Sequence, residues 1–204
     1  MAKKENSMRI IRNLTVAIIV MASIMTQGCN ESQKASTGPK TSAKAEKTVT
    51  MNYDLKDRDA FTIMGTQTRI TSADEKNPDT YTKIWDAFDQ YRTQLRPISV
   101  EWRYYGVSFA TDKKDAFDYI AGTPVHSDAT PPDKTLVTRK VPAARYAVFK
   151  CTNQDMGKTY QYIYSEWLPK SRYKIDTAAC CFEQYAPREW MNRPVYIYIP
   201  ISPK

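Results

Sequence analysis

The residues 181–185 read Cys-Phe-Glu-Gln-Tyr. If this run is a strand, every second side chain points to the same face. Phe182 then belongs to the core, and Glu183 shares the open face with Cys181 and Tyr185. In the closing run 195–201 (VYIYIPI), Val195, Ile197 and Ile199 read as core, which turns Tyr196 and Tyr198 to the open face. In the run 101–110 (EWRYYGVSFA), Val107 and Phe109 read as core, so Trp102, Tyr104 and Ser108 point the other way. Asp118, within Phe117-Asp118-Tyr119, reads as the first-half counterpart of Glu183. The expected group is one carboxylate, Glu183, among Trp102, Tyr104, Tyr185, Tyr196 and Tyr198, with Asp118 as a second acid.

Such a group has a definite chemistry. A carboxylate in an aromatic cleft is desolvated, which raises its pKa and makes its charge costly without a partner. A ligand cation supplies that partner, and each ring face adds ~0.5–2 kcal/mol of cation–π attraction. The same raised pKa suits a general acid or base, with Tyr185 or Tyr198 donating a proton or orienting water. No nucleophile–base pair accompanies it. The sole histidine, His126, excludes mechanisms that need two, including most multi-His zinc sites, and reads as an exposed loop residue before a Pro-rich break. Neither GxxxxGK[ST] nor GxGxxG occurs. No metal and no cofactor are expected.

The elements that must hold these residues follow from periodicity. Residues 59–70 mix apolar and polar side chains as a strand does. Asn77-Pro78-Asp79 then opens a helix, with Ile84, Trp85, Phe88, Tyr91 and Leu95 on one apolar face. Residues 101–110 and 116–125 read as the next two strands. After Thr130-Pro131-Pro132-Asp133 the pattern returns. Residues 136–150 lead into a helix at 157–168, with Tyr160, Ile163, Tyr164 and Trp167 at helical spacing and Pro169 as its stop. Residues 180–186 and 195–201 close the unit. The expected fold is α+β: two tandem βαββ repeats in one antiparallel sheet, two helices on one face and a ligand cleft on the other.

Several strings then converge. Trp167-Leu168-Pro169-Lys170-Ser171-Arg172-Tyr173, Phe182-Glu183-Gln184-Tyr185 and Tyr196-Ile197-Tyr198-Ile199-Pro200-Ile201, with Phe117-Asp118-Tyr119-Ile120-Ala121-Gly122 and 142–149 (PAARYAVF) before them, resemble the GyrI-like small-molecule-binding domain. This is the effector-binding domain of AraC- and MerR-type multidrug regulators. The resemblance spans residues 51–201. It implies a cleft for lipophilic, often cationic compounds, with the family's glutamate at Glu183 and an aromatic at Tyr198. Some relatives of this fold resemble hydrolases of reactive small molecules, which would make Glu183 the acid/base. Two departures stand out. No helix-turn-helix module is present, so the regulator role does not carry over. The family's Tyr-Gly in the loop after the helix is Arg172-Tyr173 here.

Residues 1–28 read as a signal peptide: Lys3, Lys4, Arg9 and Arg12 precede an apolar run at 14–25 that is too short to span a bilayer. Thr26-Gln27-Gly28-Cys29 is similar to a bacterial lipobox, with Thr26 where Leu is usual, and Cys29 would carry the lipid. Residues 29–48 hold no large apolar side chain and read as a stalk. A coil of about 18 residues reaches roughly 20–25 Å. Residues 49–204 form the domain. The net charge of +8 falls once signal and stalk are set aside, so it is no footprint for nucleic acid. The expected location is the cell envelope, anchored to a membrane and facing the periplasm or exterior. Cys151 with Cys180 or Cys181 would be permitted as a disulfide there, and buried free thiols are the alternative. Three functions remain in order: a binding module for a small lipophilic or cationic molecule, an envelope protein–protein interaction module, and an enzyme.

Overall fold

The computed structural model describes residues 51–77, 79–186 and 194–204. The signal, Cys29, the stalk and Pro78 lie outside the described residues. Among the described residues nine strands form the sheet: β1 Tyr53–Arg58, β2 Phe61–Thr71, β3 Tyr104–Ala110, β4 Ala116–Val125, β5 Val137–Val141, β6 Ala144–Cys151, β7 Tyr173–Ile175, β8 Cys181–Tyr185 and β9 Val195–Pro203. Their order is β1-β6-β9-β8-β3-β4-β2-β5, with β7 on β9. Every pairing is antiparallel. The α+β class and the antiparallel sheet expected from the sequence are both present.

The order is symmetric about the central β3–β8 pair. Outward from it run β4 and β2 on one side, β9 and β6 on the other, the corresponding strands of the two repeats. The leading strands are exchanged: β1 pairs with β6 of the second unit, and β5 pairs with β2 of the first. Residues 136–150, expected as one run, divide into β5 and β6 because Pro142 cannot donate to a ladder. The short strands β1 and β7 carry too little apolar alternation to stand out in the sequence.

One face is covered by helices. Asp79 precedes α1 of the first repeat's main helix, Thr80–Asp89, whose Tyr81, Ile84 and Phe88 are buried at helical spacing. The chain continues through a short helix at Arg92–Leu95 and a 3-10 turn at Arg96–Ile98. In the second repeat α2, Met156–Tyr162, passes into a π-helical segment, Ile163–Trp167, and a last turn, Leu168–Lys170. Pro169 therefore sits inside the final turn and does not stop the helix ahead of it. The π segment has already broken the i→i−4 ladder, and Pro is tolerated in a first turn.

The other face is not left open. Phe61 of β2 lies 5.7 Å, ring to ring, from Phe182 of β8, although three strand spacings in a flat sheet would measure ~14 Å. Arg58 of β1 donates to the Tyr105 hydroxyl of β3 at 3.3 Å, four strands away. The sheet thus curls onto itself. It encloses a second core of Ile63, Tyr105, Val107, Phe109, Ile120, Tyr146, Val148, Phe182 and Tyr198, packed by rings and not by helices.

Candidate functional site

Glu183 sits at the middle of β8, directly opposite Gly106 of β3 and Ile197 of β9. Residues opposed across a ladder share a face, and Ile197 belongs to the core beneath the helices, as do Tyr104 and Cys181. Glu183 therefore points under the helices. The sequence pattern predicts the face opposite them. Its neighbours Cys181, Tyr185 and Tyr104 were grouped with it correctly, and Trp102 packs at the margin of the same core.

Tyr196 and Tyr198 lie on the other face. Tyr198 is in register with Phe182, and their rings stack with centroids 4.4 Å apart. Tyr198 donates to Gln184 at 3.5 Å, and Gln184 donates to Tyr105 at 2.7 Å. Asp118 also leaves the group. It is paired in register with Phe109 of the second core and accepts from Arg69 at 2.8 Å and Arg139 at 3.4 Å. Those guanidiniums hold its carboxyl below the usual range, the Arg69 hydrogen bond most of all. It lies on β4, the counterpart of β9, so it is not the repeat equivalent of Glu183. His126 is exposed. Cys151, Cys180 and Cys181 are free thiols, and burial pushes the first two up to about 12 and about 11.

The error of face has a physical source. Phe182, Val107 and Phe109 are apolar, and in a sheet with one core apolar residues belong on the helix side. Both faces are buried, so apolar character does not set the phase of a strand here.

What surrounds Glu183 is phenolic. Only 3% of the residue is exposed. Tyr160 of α2 donates to Oε1 and Tyr119 of β4 donates to Oε2, the latter at 3.3 Å. Burial is the largest influence on the carboxyl and raises it to about 7, against the opposing pull of these two hydroxyls. No Lys or Arg is bonded to it among the described residues. The space for this contact exists because position 106 is glycine. A Cβ there would collide with the Tyr119 hydroxyl and stand 2.6 Å from Oε2.

Tyr81 of α1 packs edge-on against Tyr119 at 5.3 Å. Tyr164 stacks on Tyr160 at 6.2 Å. Nearer the surface, half-buried Trp85 of α1 meets the half-buried Tyr185 ring at 5.0 Å, and Tyr185 donates to Met156 Sδ of α2 at 3.8 Å. These contacts join the two helices over the acid. Tyr81, Tyr119, Tyr160 and Tyr164 were not among the sequence-derived site residues. Their helical spacing marked Tyr160 and Tyr164 as core, and nothing in the sequence distinguishes a phenol that packs from one that bonds a carboxylate.

Comparison with known proteins agrees with this fold. Residues 54–201 match the family described as Cass2, integron-associated effector binding protein. Among solved structures, the integron cassette protein VCH_CASS2 from the mobile metagenome of Vibrio cholerae is 22% identical, with a TM-score of 0.53 over 74% of this chain and 95% of that one. SAV2435 bound to tetraphenylphosphonium is 15% identical, with a TM-score of 0.54 over 74% of this chain and 94% of that one. The EcmrR C-terminal domain is 10% identical, with a TM-score of 0.56 over 76% of this chain and all of that one. At these identities the three structures share a fold with the present chain. No curated protein matches. Because the family match spans most of the chain and the fold agrees with it, the chain belongs to the integron-associated effector-binding family.

Proposed function

We propose that this protein binds a small lipophilic cation beneath its two helices, with Glu183 as the counter-ion and Tyr119, Tyr160, Tyr164, Tyr185 and Trp85 as the aromatic enclosure. The observation that carries the reading is a buried carboxyl whose protein partners are neutral hydroxyls. Such a group is poised between two states near pH 7, has no ionic partner among the described residues, and gains one from a bound cation. Ring faces around it favour a diffuse, weakly hydrated cation over a small hydrated one. The fold shared with a protein solved with tetraphenylphosphonium bound supports the same ligand class.

Thermal shift with tetraphenylphosphonium tests it, wild type beside Glu183→Gln, with the compound checked by mass afterwards. At 100 times Kd the wild type gains ~2.7 kcal/mol. The variant is expected to gain little. An equal shift in both proteins would contradict the counter-ion role. A carboxyl near neutrality hydrogen-bonded to a phenol also favours a second reading, in which Glu183 moves a proton in hydrolysis of a reactive ligand. A changed mass in wild type alone would put that reading first.

The N-terminal sequence extends the proposal to location. A lipid on Cys29 and a stalk over residues 29–48 would hold the binding domain at an envelope membrane, where lipophilic cations partition. Metabolic labelling with a fatty acid, lost in Cys29→Ser, is the expected outcome. Labelling that survives the substitution would count against Cys29.

A further inference from the structure

Five phenols stand around Glu183. Tyr119 and Tyr160 donate to the carboxylate, Tyr185 donates to Met156 Sδ, and Tyr164 stacks on Tyr160. The fifth, Tyr81, is 1% exposed, and its hydroxyl has no partner among the described residues. A buried hydroxyl without a partner is unusual, because its hydration is lost and not replaced. Tyr146 is the other phenol in this condition, but it lies in the second core, away from the acid.

The position of Tyr81 is specific. It stands one helical turn before Trp85 on α1, so both lie on the same face of that helix. Its ring meets Tyr119, the residue that holds Oε2 of Glu183. The negative charge of Glu183 also helps to raise the Tyr81 phenol, behind burial as the main cause. Both effects favour the neutral, donating form of the Tyr81 phenol.

We propose that Tyr81 is a specificity-determining residue: it donates to an acceptor oxygen or nitrogen on the ligand, so that the preferred ligand is a lipophilic cation carrying such an acceptor a few bonds from its charge. The inference rests on the cation-binding reading and narrows it. A cation without an acceptor satisfies Glu183 and leaves Tyr81 unbonded. A cation with one satisfies both. A site built to bond a polar group discriminates strongly against the analogue that lacks it.

The test uses matched triphenylphosphonium probes with the full chain at pH 8: 2-methoxyethyl against butyl, and 3-methoxypropyl against pentyl. Each pair has the same charge and nearly the same volume and differs by one ether oxygen. The expected result is that wild type binds one ether probe ~5–10-fold tighter than its alkyl match, the worth of one hydrogen bond. Tyr81→Phe should erase that preference and keep the alkyl affinities within about twofold. Glu183→Gln should weaken both members of each pair alike. The unliganded Tyr81→Phe protein should melt no lower than wild type, since the hydroxyl it loses bonds nothing.

Two results would overturn the inference while leaving the cation site standing: alkyl and ether probes that bind wild type equally, or an ether preference that survives Tyr81→Phe. A lower melting temperature for unliganded Tyr81→Phe would also overturn it, by showing that the hydroxyl is already bonded, for instance to a bound water. If no phosphonium binds wild type at all, the cation site itself fails and this inference fails with it.

Discussion

Above pH 7 the Glu183 carboxyl is charged in a place where water cannot reach it, and that cost belongs to the folded state alone. Its folded pKa is about 7, raised from an ordinary 4.5. A raised acid binds more protons folded than unfolded, so the stability it allows is fully present below 4.5 and is lost as pH rises through 7. The difference corresponds to roughly 3 kcal/mol. Urea unfolding at pH 5 and pH 8 should show wild type losing stability over this range, with a loss smaller by about that amount in Glu183→Gln. Equal pH profiles would show that the carboxyl is not perturbed. Tyr160→Phe removes a donor that favours the charged form, so it should raise the Glu183 pKa further and weaken cation binding about tenfold at pH 7. Titration of the carboxyl by carbon-13 NMR, with binding measured alongside, reads both effects.

The central β3–β8 ladder is the element that makes the site possible. Gly106 stands opposite Glu183 so that Tyr119 can reach across β3 to the acid. Gly106→Ala should displace the Tyr119 hydroxyl and lower phosphonium affinity at least tenfold while the sheet remains folded. An unchanged affinity would mean that Tyr119 is dispensable. Phe182, the residue before the acid, belongs instead to the second core and touches Phe61, Tyr105, Tyr146 and Tyr198. Phe182→Ala should cost ~3–5 kcal/mol in chemical denaturation without a direct effect on the site. Alternation made these strands readable in the sequence. It correctly joined Glu183 with Cys181, Tyr185 and Tyr104, and correctly sent Val195, Ile197 and Ile199 to the helix side. It could not say which face of β8 and β3 the helices cover, because Phe182, Val107 and Phe109 are as buried as their opposites. Tyr196, Tyr198 and Asp118 left the group for that reason. Pattern also cannot show that a sheet curls, since curling is set by contacts such as Phe61 with Phe182, 121 positions apart in the chain.

At the scale of the whole molecule, the repeats are tied by exchange. β1 precedes the first repeat but edges the second, and β5 does the reverse. Neither half carries its complete sheet, so the domain is expected to unfold as one cooperative unit, with the acid lying at the seam between the halves. A cation entering that seam must draw the proton from Glu183 whenever the carboxyl is neutral. The most direct measurement is therefore calorimetry of tetraphenylphosphonium binding at pH 6 and pH 8.5, each in buffers of different ionisation enthalpy. With Glu183 as the counter-ion, close to one proton is released per cation bound at pH 6 and almost none at pH 8.5, and Glu183→Gln releases none at either pH. Binding to wild type at pH 6 without proton release, or the same release from Glu183→Gln, would contradict that role.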